Sequence, residues 1–101
     1  MRVIYMGTPD FAVSILEAII EKGHNVIAVV TQADKPKGRG KEIQYTPVKE
    51  AAIKHNIPVY QPLRIKNNSE IEEELRSLNP DIIIVAAYGQ ILPKSILEMA
   101  K

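Results

Sequence analysis

The chain has 101 residues, enough for one domain or for part of one. Hydrophobic residues make up 46 % and charged residues 25 %, which is ordinary for a globular protein and argues against disorder along the whole chain. Cysteine is absent, which excludes a disulfide framework, a thiolate metal site and a cysteine nucleophile, and fits a reducing compartment. The net charge of +1 excludes an overall basic balance toward nucleic acid, but a local basic patch remains open.

Four short apolar runs, rich in β-branched residues, predict the strands. They cover residues 3–6, 26–30, 59–60 and 82–87. None shows a clean polar alternation, which is typical of strands buried on both faces in a parallel sheet covered by helices. The last run is also the longest uninterrupted apolar stretch, and it is far shorter than the roughly 20 residues of a membrane span.

The first helix is predicted over residues 10–22, where polar residues form one narrow stripe and the other faces are apolar. Thr8 is expected to cap its start, with Pro9 in the first turn and Gly23 at a left-handed stop. The other three predicted helices each begin at a polar cap or a proline. They run from Thr46 as cap and Pro47 as first residue to near Asn56, from Ser69 as cap with Glu72 in a capping box to Asn79, and from Pro93 through Leu97.

Strands and helices therefore alternate along the chain, which predicts the α/β class. With right-handed crossovers, this order predicts a Rossmann-like, doubly wound parallel sheet with strand order 3-2-1-4. Residues 31–45 form the one long irregular stretch. Loops of that length in compact domains are usually functional or disordered.

In such a sheet, ligands bind outside the carboxyl ends of the strands, where the strand order reverses. One segment that must line this crevice follows the first strand and contains Gly7, Thr8 and Pro9. It has only one glycine, so it is not a dinucleotide fingerprint. Pro9 lacks an amide donor, and Asp10 would repel a phosphate. The segment fits a plain strand-to-helix turn or a site for a neutral or cationic group.

The second crevice segment follows the fourth strand, passes through Gly89 and is expected to expose Gln90, Ile91 and Leu92. Backbone amides beside apolar side chains can hold a flat heterocycle by edge hydrogen bonds and packing. The alternative is a plain connection, with Ile91 and Leu92 in the core.

A third candidate is the basic loop. Lys35, Lys37, Arg39 and Lys41 occur within seven residues, with no acidic residue between them. Interleaved glycines let the backbone approach a surface closely, and basic residues on a loop are typical of phosphate binding. A solvated charged loop is the competing interpretation. His24 and His55 have no metal-spaced partner and are expected to be structural.

Taken together, these motifs resemble the N-terminal part of the methionyl-tRNA formyltransferase family, in order and over essentially the whole chain. The resemblance rests on residues 6–11, 31–41, 46–49 and 86–94. It implies a cytoplasmic, membrane-free enzyme that transfers a formyl group from 10-formyltetrahydrofolate to the α-amino group of initiator methionyl-tRNA. It also implies a Rossmann-type catalytic domain followed by a C-terminal barrel domain, and no metal.

The same resemblance implies roles for particular residues. Folate-binding positions would be Tyr88, Gln90, Ile91 and Leu92; tRNA-binding positions would be Lys35, Lys37, Arg39, Lys41 and Lys49; the active-site crevice would contain Gly7, Thr8 and Pro9. Relatives carry an Asn-x-His pair and a catalytic aspartate that residues 1–101 lack, so no catalytic residue is assigned here.

We therefore expect residues 1–101 to be the N-terminal part of the catalytic domain, inactive alone, with the rest of that domain and the barrel domain absent. An uncovered fourth strand would make this fragment self-associate, whereas the full-length protein is expected to be a monomer. Two alternatives remain, a sugar-nucleotide N-formyltransferase domain and a non-catalytic nucleic-acid-binding module. The Gly-Arg-Gly loop favours tRNA over a nucleotide sugar, which has no long phosphate backbone.

Overall fold

The computed structural model describes residues 1–36 and 43–99. Its strands are β1 (Arg2–Gly7), β2 (Asn25–Val30), β3 (Lys35–Pro36), β4 (Ile43–Gln44), β5 (Val59–Tyr60) and β6 (Ile82–Ala86). Its helices are α1 (Asp10–Glu21), α2 (Pro47–Lys54), α3 (Ser69–Ser77) and α4 (Lys94–Leu97). The four predicted strands and four predicted helices are all present, with bounds that differ by one or two residues.

The main sheet is parallel, with strand order β5-β2-β1-β6. This order confirms the predicted order 3-2-1-4, because β5 and β6 are the third and fourth strands of the predicted set. β1 is central: Tyr5 lies opposite Val29 on β2 and opposite Ile84 on β6. The strand order reverses between β1 and β6, so a crevice opens at their carboxyl ends.

Helices cover both faces of the sheet, which explains why the strands lack polar alternation. Successive side chains of a strand point to opposite faces, and β1 divides accordingly. Val3 and Tyr5 pack with α1 and α2, whereas Ile4 and Met6 pack with α3 and α4. All four side chains are at most 1 % exposed. β1 therefore joins two hydrophobic cores.

The stretch predicted to be irregular contains a short antiparallel pair, β3 with β4, so that prediction was wrong in part. Lys35 lies opposite Gln44, and Pro36 lies opposite Ile43. A two-stranded ribbon has only edge strands, and a proline is tolerated there because an edge position does not need its missing amide donor. Two residues per strand are too few to produce a periodic signal in the sequence.

Helix capping follows the prediction at α2 and departs from it at α1 and α3. Thr46 accepts a hydrogen bond from the Lys49 amide at 3.0 Å, as expected. The prediction of Thr8 as the α1 cap is wrong: Pro9 occupies the cap position and forms no side-chain cap. The prediction of Ser69 is also wrong, because Asn68 lies three residues before Ile71 and its Oδ1 accepts from that amide at 3.1 Å.

Candidate functional site

Three segments meet at the carboxyl edge of the sheet. We call residues 7–9, which follow β1, the β1 exit, and residues 87–93, which follow β6, the β6 exit. Residues 33–34 and 45–49, which border the basic loop, are the loop flank. The sequence predicted that the first two would be neighbours, and the pairing of β1 with β6 up to Gly7 and Ala86 places them side by side.

The β1 exit is packed tightly against its neighbours. A Cβ atom on Gly7 would lie 3.0 Å from the Ala86 carbonyl oxygen and 3.1 Å from the Ala12 Cβ, so only glycine fits there without displacement. The hydroxyl of Thr8 donates to the Tyr88 carbonyl at 2.8 Å and receives a longer contact of 3.4 Å from the Gln32 amide. Thr8 thus joins the ends of three strands instead of capping α1.

The β6 exit makes a sharp turn, which is formed by two residues with left-handed backbone conformations. Ala87 and Gly89 both have positive φ, 58° and 102°. A Cβ on Gly89 would lie 2.5 Å from the Gln32 Nε2 atom, so the amide of Gln32 rests directly on this glycine. The turn carries the chain from the end of β6 to a contact with Gln32, which follows β2.

The side chains of Tyr88 and Gln90 hold this turn in place from the side of the core. The Tyr88 ring is 2 % exposed and lies in the core with Ile4 and Ile96. Burial raises the pKa of Tyr88 to about 12. The Gln90 Oε1 atom accepts from the Ile65 amide at 3.0 Å, and its Nε2 atom donates to the Gln32 Oε1 atom at 3.0 Å. The expected exposure of Gln90 is therefore only partial, because its side chain is turned inward.

The apolar side chains of the β6 exit differ in how they are placed. Ile91 is 87 % exposed, whereas Leu92 is half-buried against the core that contains Met6 and Ile96. Ile91 is therefore the side chain that a flat heterocycle could cover, and Leu92 supports it. An exposed isoleucine beside a positive-φ glycine fits a ligand whose ring packs on an apolar side chain and whose edge meets backbone groups.

The loop flank is held by an ion pair. The Lys49 Nζ atom lies 2.8 Å from the Asp34 Oδ2 atom and 3.8 Å from the centre of the Tyr45 ring. The Asp34 Oδ1 atom accepts from the Gln61 Nε2 atom at 2.7 Å. The hydrogen bonds from Lys49 and then Gln61 hold the pKa of the Asp34 carboxyl below its usual value. Lys49, which the sequence assigned to tRNA, is therefore already paired with a carboxylate.

The two sides of the basic loop are also joined directly. The Thr31 and Thr46 hydroxyls lie 2.7 Å apart, and β3 pairs with β4 beyond them. Of the predicted tRNA-binding residues, Lys49 is described in full and Lys35 by its backbone in β3. The other three, Lys37, Arg39 and Lys41, lie outside the described residues.

A cavity of about 160 Å³ connects the β1 exit to the loop flank, and its walls include Thr8, Gln32, Tyr45 and Thr46. Sequence reasoning missed Gln32, as it missed Gln61. A signal for both exists: each is the first or second polar residue after a strand of the main sheet, at the edge where ligands bind.

His55 has a structural partner, as expected. Its Nε2 atom lies 2.6 Å from the Glu17 Oε1 atom and links α2 to α1. Across residues 1–36 and 43–99, no group of three or more histidine, aspartate or glutamate side chains is arranged to hold a metal ion. Within the same ranges, no helix has the length and apolar character needed to cross a membrane.

Comparison with protein families gives one match that covers the whole chain: the formyl transferase family, over residues 1–101. Two curated relatives are a methionyl-tRNA formyltransferase of Sulfurihydrogenibium sp., 60 % identical, and one of Agathobacter rectalis, 65 % identical. Each alignment covers 100 % of this chain and 32 % of the relative. The chain thus spans about a third of the length of these relatives.

Solved structures show the same fold at low sequence identity. A phosphoribosylglycinamide formyltransferase from Bacillus halodurans matches with a TM-score of 0.66 and 20 % identity, over 98 % of this chain and 51 % of that one. A glycinamide ribonucleotide transformylase from Symbiobacterium toebii matches with a TM-score of 0.64 and 14 % identity, over 99 % of this chain and 47 % of that one. These likenesses concern the fold alone.

Proposed function

The chain belongs to the formyl transferase family, and from this we propose that it is part of a methionyl-tRNA formyltransferase. Such an enzyme would act in the cytoplasm and transfer a formyl group from 10-formyltetrahydrofolate to the α-amino group of initiator methionyl-tRNA. Relatives of that name, 52–65 % identical over the whole chain, support this acceptor over a nucleotide sugar.

The observation that carries the proposal is that the β6 exit and the loop flank open on the same edge of the sheet. Gln32 links the two: its side chain accepts from Gln90, and its backbone carbonyl accepts from Gln61, which also donates to Asp34 of the loop flank. A donor molecule at one segment and a large anionic acceptor at the other would therefore meet at one crevice, which also contains Gly7, Thr8 and Pro9.

For the folate, the β6 exit supplies an exposed apolar side chain on a fixed turn. Ile91 would cover the ring, and Leu92 would support it from the core. Tyr88 and Gln90, also assigned to folate by the resemblance, would act by holding the turn, since the first is buried and the second is hydrogen-bonded inward.

For the tRNA, the basic loop would supply phosphate contacts through Lys35, Lys37, Arg39 and Lys41. Each neutralised phosphate contributes about 0.9 to the slope of log K against log salt concentration. Lys49 would contribute less than a free lysine, because Asp34 already neutralises it. The catalytic groups are proposed to lie outside residues 1–101, so these residues alone should transfer no formyl group.

The proposal is tested with the intact protein that carries this chain. Formyl transfer from 10-formyltetrahydrofolate is measured with methionyl-tRNA, glycinamide ribonucleotide and an amino-sugar nucleotide as alternative acceptors. We expect transfer to methionyl-tRNA alone. Preferred transfer to either small acceptor would overturn the assignment of the substrate, and no transfer to any acceptor would overturn the assignment of the activity.

A matched pair of variants tests the β6 exit. Ile91→Asp should raise the KM for the folate and leave the KM for tRNA unchanged, because a charge is costly against an apolar ring. Leu97→Asp is the control, since Leu97 is also an exposed apolar residue, on α4, at 56 % exposure. Equal folate KM values in the two variants would mean that the β6 exit only connects β6 to α4 and does not bind the folate.

A further inference from the structure

Two glutamine side chains bridge the β6 exit and the loop flank. Gln61 follows β5, and its Nε2 atom donates to the Gln32 carbonyl at 3.1 Å and to the Asp34 Oδ1 atom at 2.7 Å. A side-chain amide has two hydrogens, and both are used here. Gln61 therefore holds the Gln32 carbonyl and the Asp34 carboxylate against the end of β5.

The Gln32 side chain continues the connection to the β6 exit. Its Oε1 atom accepts from the Gln90 Nε2 atom at 3.0 Å, and its Nε2 atom lies against Gly89. The other end of the Gln90 amide accepts from the Ile65 amide. A shift of the turn that carries Ile91 would therefore break a hydrogen bond to Gln32.

At its other end the connection reaches both sides of the basic loop. Asp34 lies just before the loop and pairs with Lys49 on α2, and Lys49 lies over the ring of Tyr45, just after the loop. A shift of the loop flank would therefore break the bond between Asp34 and Gln61. The path Gln90–Gln32–Gln61–Asp34–Lys49 is continuous and part-buried.

We propose that Gln32 and Gln61 form an amide relay that couples occupation of the β6 exit to occupation of the loop flank. The identity of the two ligands, a folate and a tRNA, rests on the proposed function. Each ligand would favour the hydrogen-bonded arrangement of its own end, and the relay holds that arrangement at the other end as well. The two ligands then bind with positive, reciprocal coupling. Gln32 and Gln61 are positioning residues, because they act through Gln90 and Asp34.

The experiment measures the coupling without turnover, in the intact protein. The Kd of tetrahydrofolate, which has no formyl group, is determined with and without saturating uncharged tRNA, and the Kd of that tRNA with and without tetrahydrofolate. We expect the wild-type protein to bind each ligand about fivefold more tightly in the presence of the other, at the lower end of typical coupling factors.

Gln61→Leu and Gln32→Leu should each reduce the coupling factor to below about twofold, because a leucine of similar size cannot donate or accept a hydrogen bond. Glu73→Leu is the control: Glu73 is an exposed polar side chain of similar length on α3, and this variant should keep the wild-type factor. If the two glutamines had only a structural role, the variants would change the Kd of a ligand equally with and without the other ligand, and the coupling factor would stay constant. Thermal unfolding of each variant verifies that it is folded. If one of the two relay variants does not fold, the other still tests the proposal.

The outcomes separate this inference from the proposed function. Folded relay variants with the wild-type coupling factor would overturn the relay, as would a wild-type factor of one with both ligands bound. Failure of the wild-type protein to bind tetrahydrofolate or tRNA at all would instead overturn the proposed function.

Discussion

β1 and β6 are adjacent parallel strands with apolar central residues, yet they are buried to very different extents. The four central residues of β1 are at most 1 % exposed, whereas every residue of β6 is partly exposed and Val85 reaches 43 %. β1 pairs on both sides, and β6 pairs with β1 alone among the described strands. Burial of a strand is thus set by its neighbours in the sheet, and two equally apolar sequences can have very different stability roles.

The tyrosines of the two regions show the same contrast at the level of one hydroxyl group. Tyr5 in β1 donates to the Ala12 carbonyl at 2.7 Å. The Tyr88 hydroxyl, just after β6, is buried and has no hydrogen-bond partner in the described part of the chain. Both rings are in the core, but only one of the two polar groups is satisfied there.

The largest effect should come from a pair of isoleucines that lie opposite each other, Ile4 and Ile83. Ile4→Ala should lower the free energy of unfolding by about 3–5 kcal/mol, because the side chain is fully buried and leaves a cavity. Ile83→Ala should lower it by roughly half as much, since Ile83 is only half-buried. Urea denaturation of both variants measures the difference, and equal losses would contradict the contrast between the strands.

A smaller effect separates the two tyrosines. Tyr5→Phe should destabilise the fold by about 1 kcal/mol, because it removes a buried hydrogen bond to the Ala12 carbonyl. Tyr88→Phe should be neutral or stabilising, because it removes an unsatisfied buried hydroxyl. The readout is the shift in denaturation midpoint. A loss for Tyr88→Phe as large as that for Tyr5→Phe would mean that the Tyr88 hydroxyl has a partner.

A substitution on the outer edge of β6 should have a still smaller effect on stability, but a measurable effect on association. Val85→Lys should change the free energy of unfolding by no more than about 0.5 kcal/mol, because the position is exposed. It should weaken the self-association that we expect of the 101-residue chain, since a lysine on an edge strand opposes edge-to-edge pairing. Light scattering against concentration tests this, and a wild-type chain that stays monomeric would remove the expectation.

The last comparison should show no difference between the two regions. Burial raises the pKa of both Tyr5 and Tyr88 to about 12. A folded pKa above the unfolded value of 10.0 means that the folded state holds its proton longer, so stability should fall between pH 10 and pH 12. In an ultraviolet titration, Tyr5→Phe and Tyr88→Phe should each show one fewer phenol that ionises near pH 12 than the wild-type protein. An earlier midpoint for one of them would show that its ring is reached by water.

The fold was predictable from sequence because its determinants are local and repeated. Apolar runs defined the strands, and Thr46 with Pro47 defined the start of α2. Their alternation, together with right-handed crossovers in a doubly wound sheet, predicted the strand order. The cap positions at Thr8 and Ser69 were wrong because a hydroxyl chooses between several partners of similar energy, and the choice depends on which carbonyl or amide the fold brings near it.

The position of the candidate site was predictable from the sequence, but the hydrogen bonds and ion pairs between its side chains were not. Its place followed from the reversal of strand order, and the exposure of Ile91 was expected from the segment that contains it. The inward turn of Gln90 and the pairing of Lys49 with Asp34 depend on residues 25 and 15 positions away in the chain. No local pattern encodes such contacts, so the sequence did not show that Lys49, which the resemblance assigns to tRNA, is paired with a carboxylate.

The closure between Thr31 and Thr46 has a consequence for the length of the basic loop. The two hydroxyls and the β3–β4 pair join the chain on both sides of the segment between Pro36 and Ile43, so the ends of the segment are held together independently of the four-stranded sheet. Doubling the length of a closed loop costs only about 0.6 kcal/mol. We therefore expect changes in the length of the segment between Pro36 and Ile43 to cost the main sheet little stability.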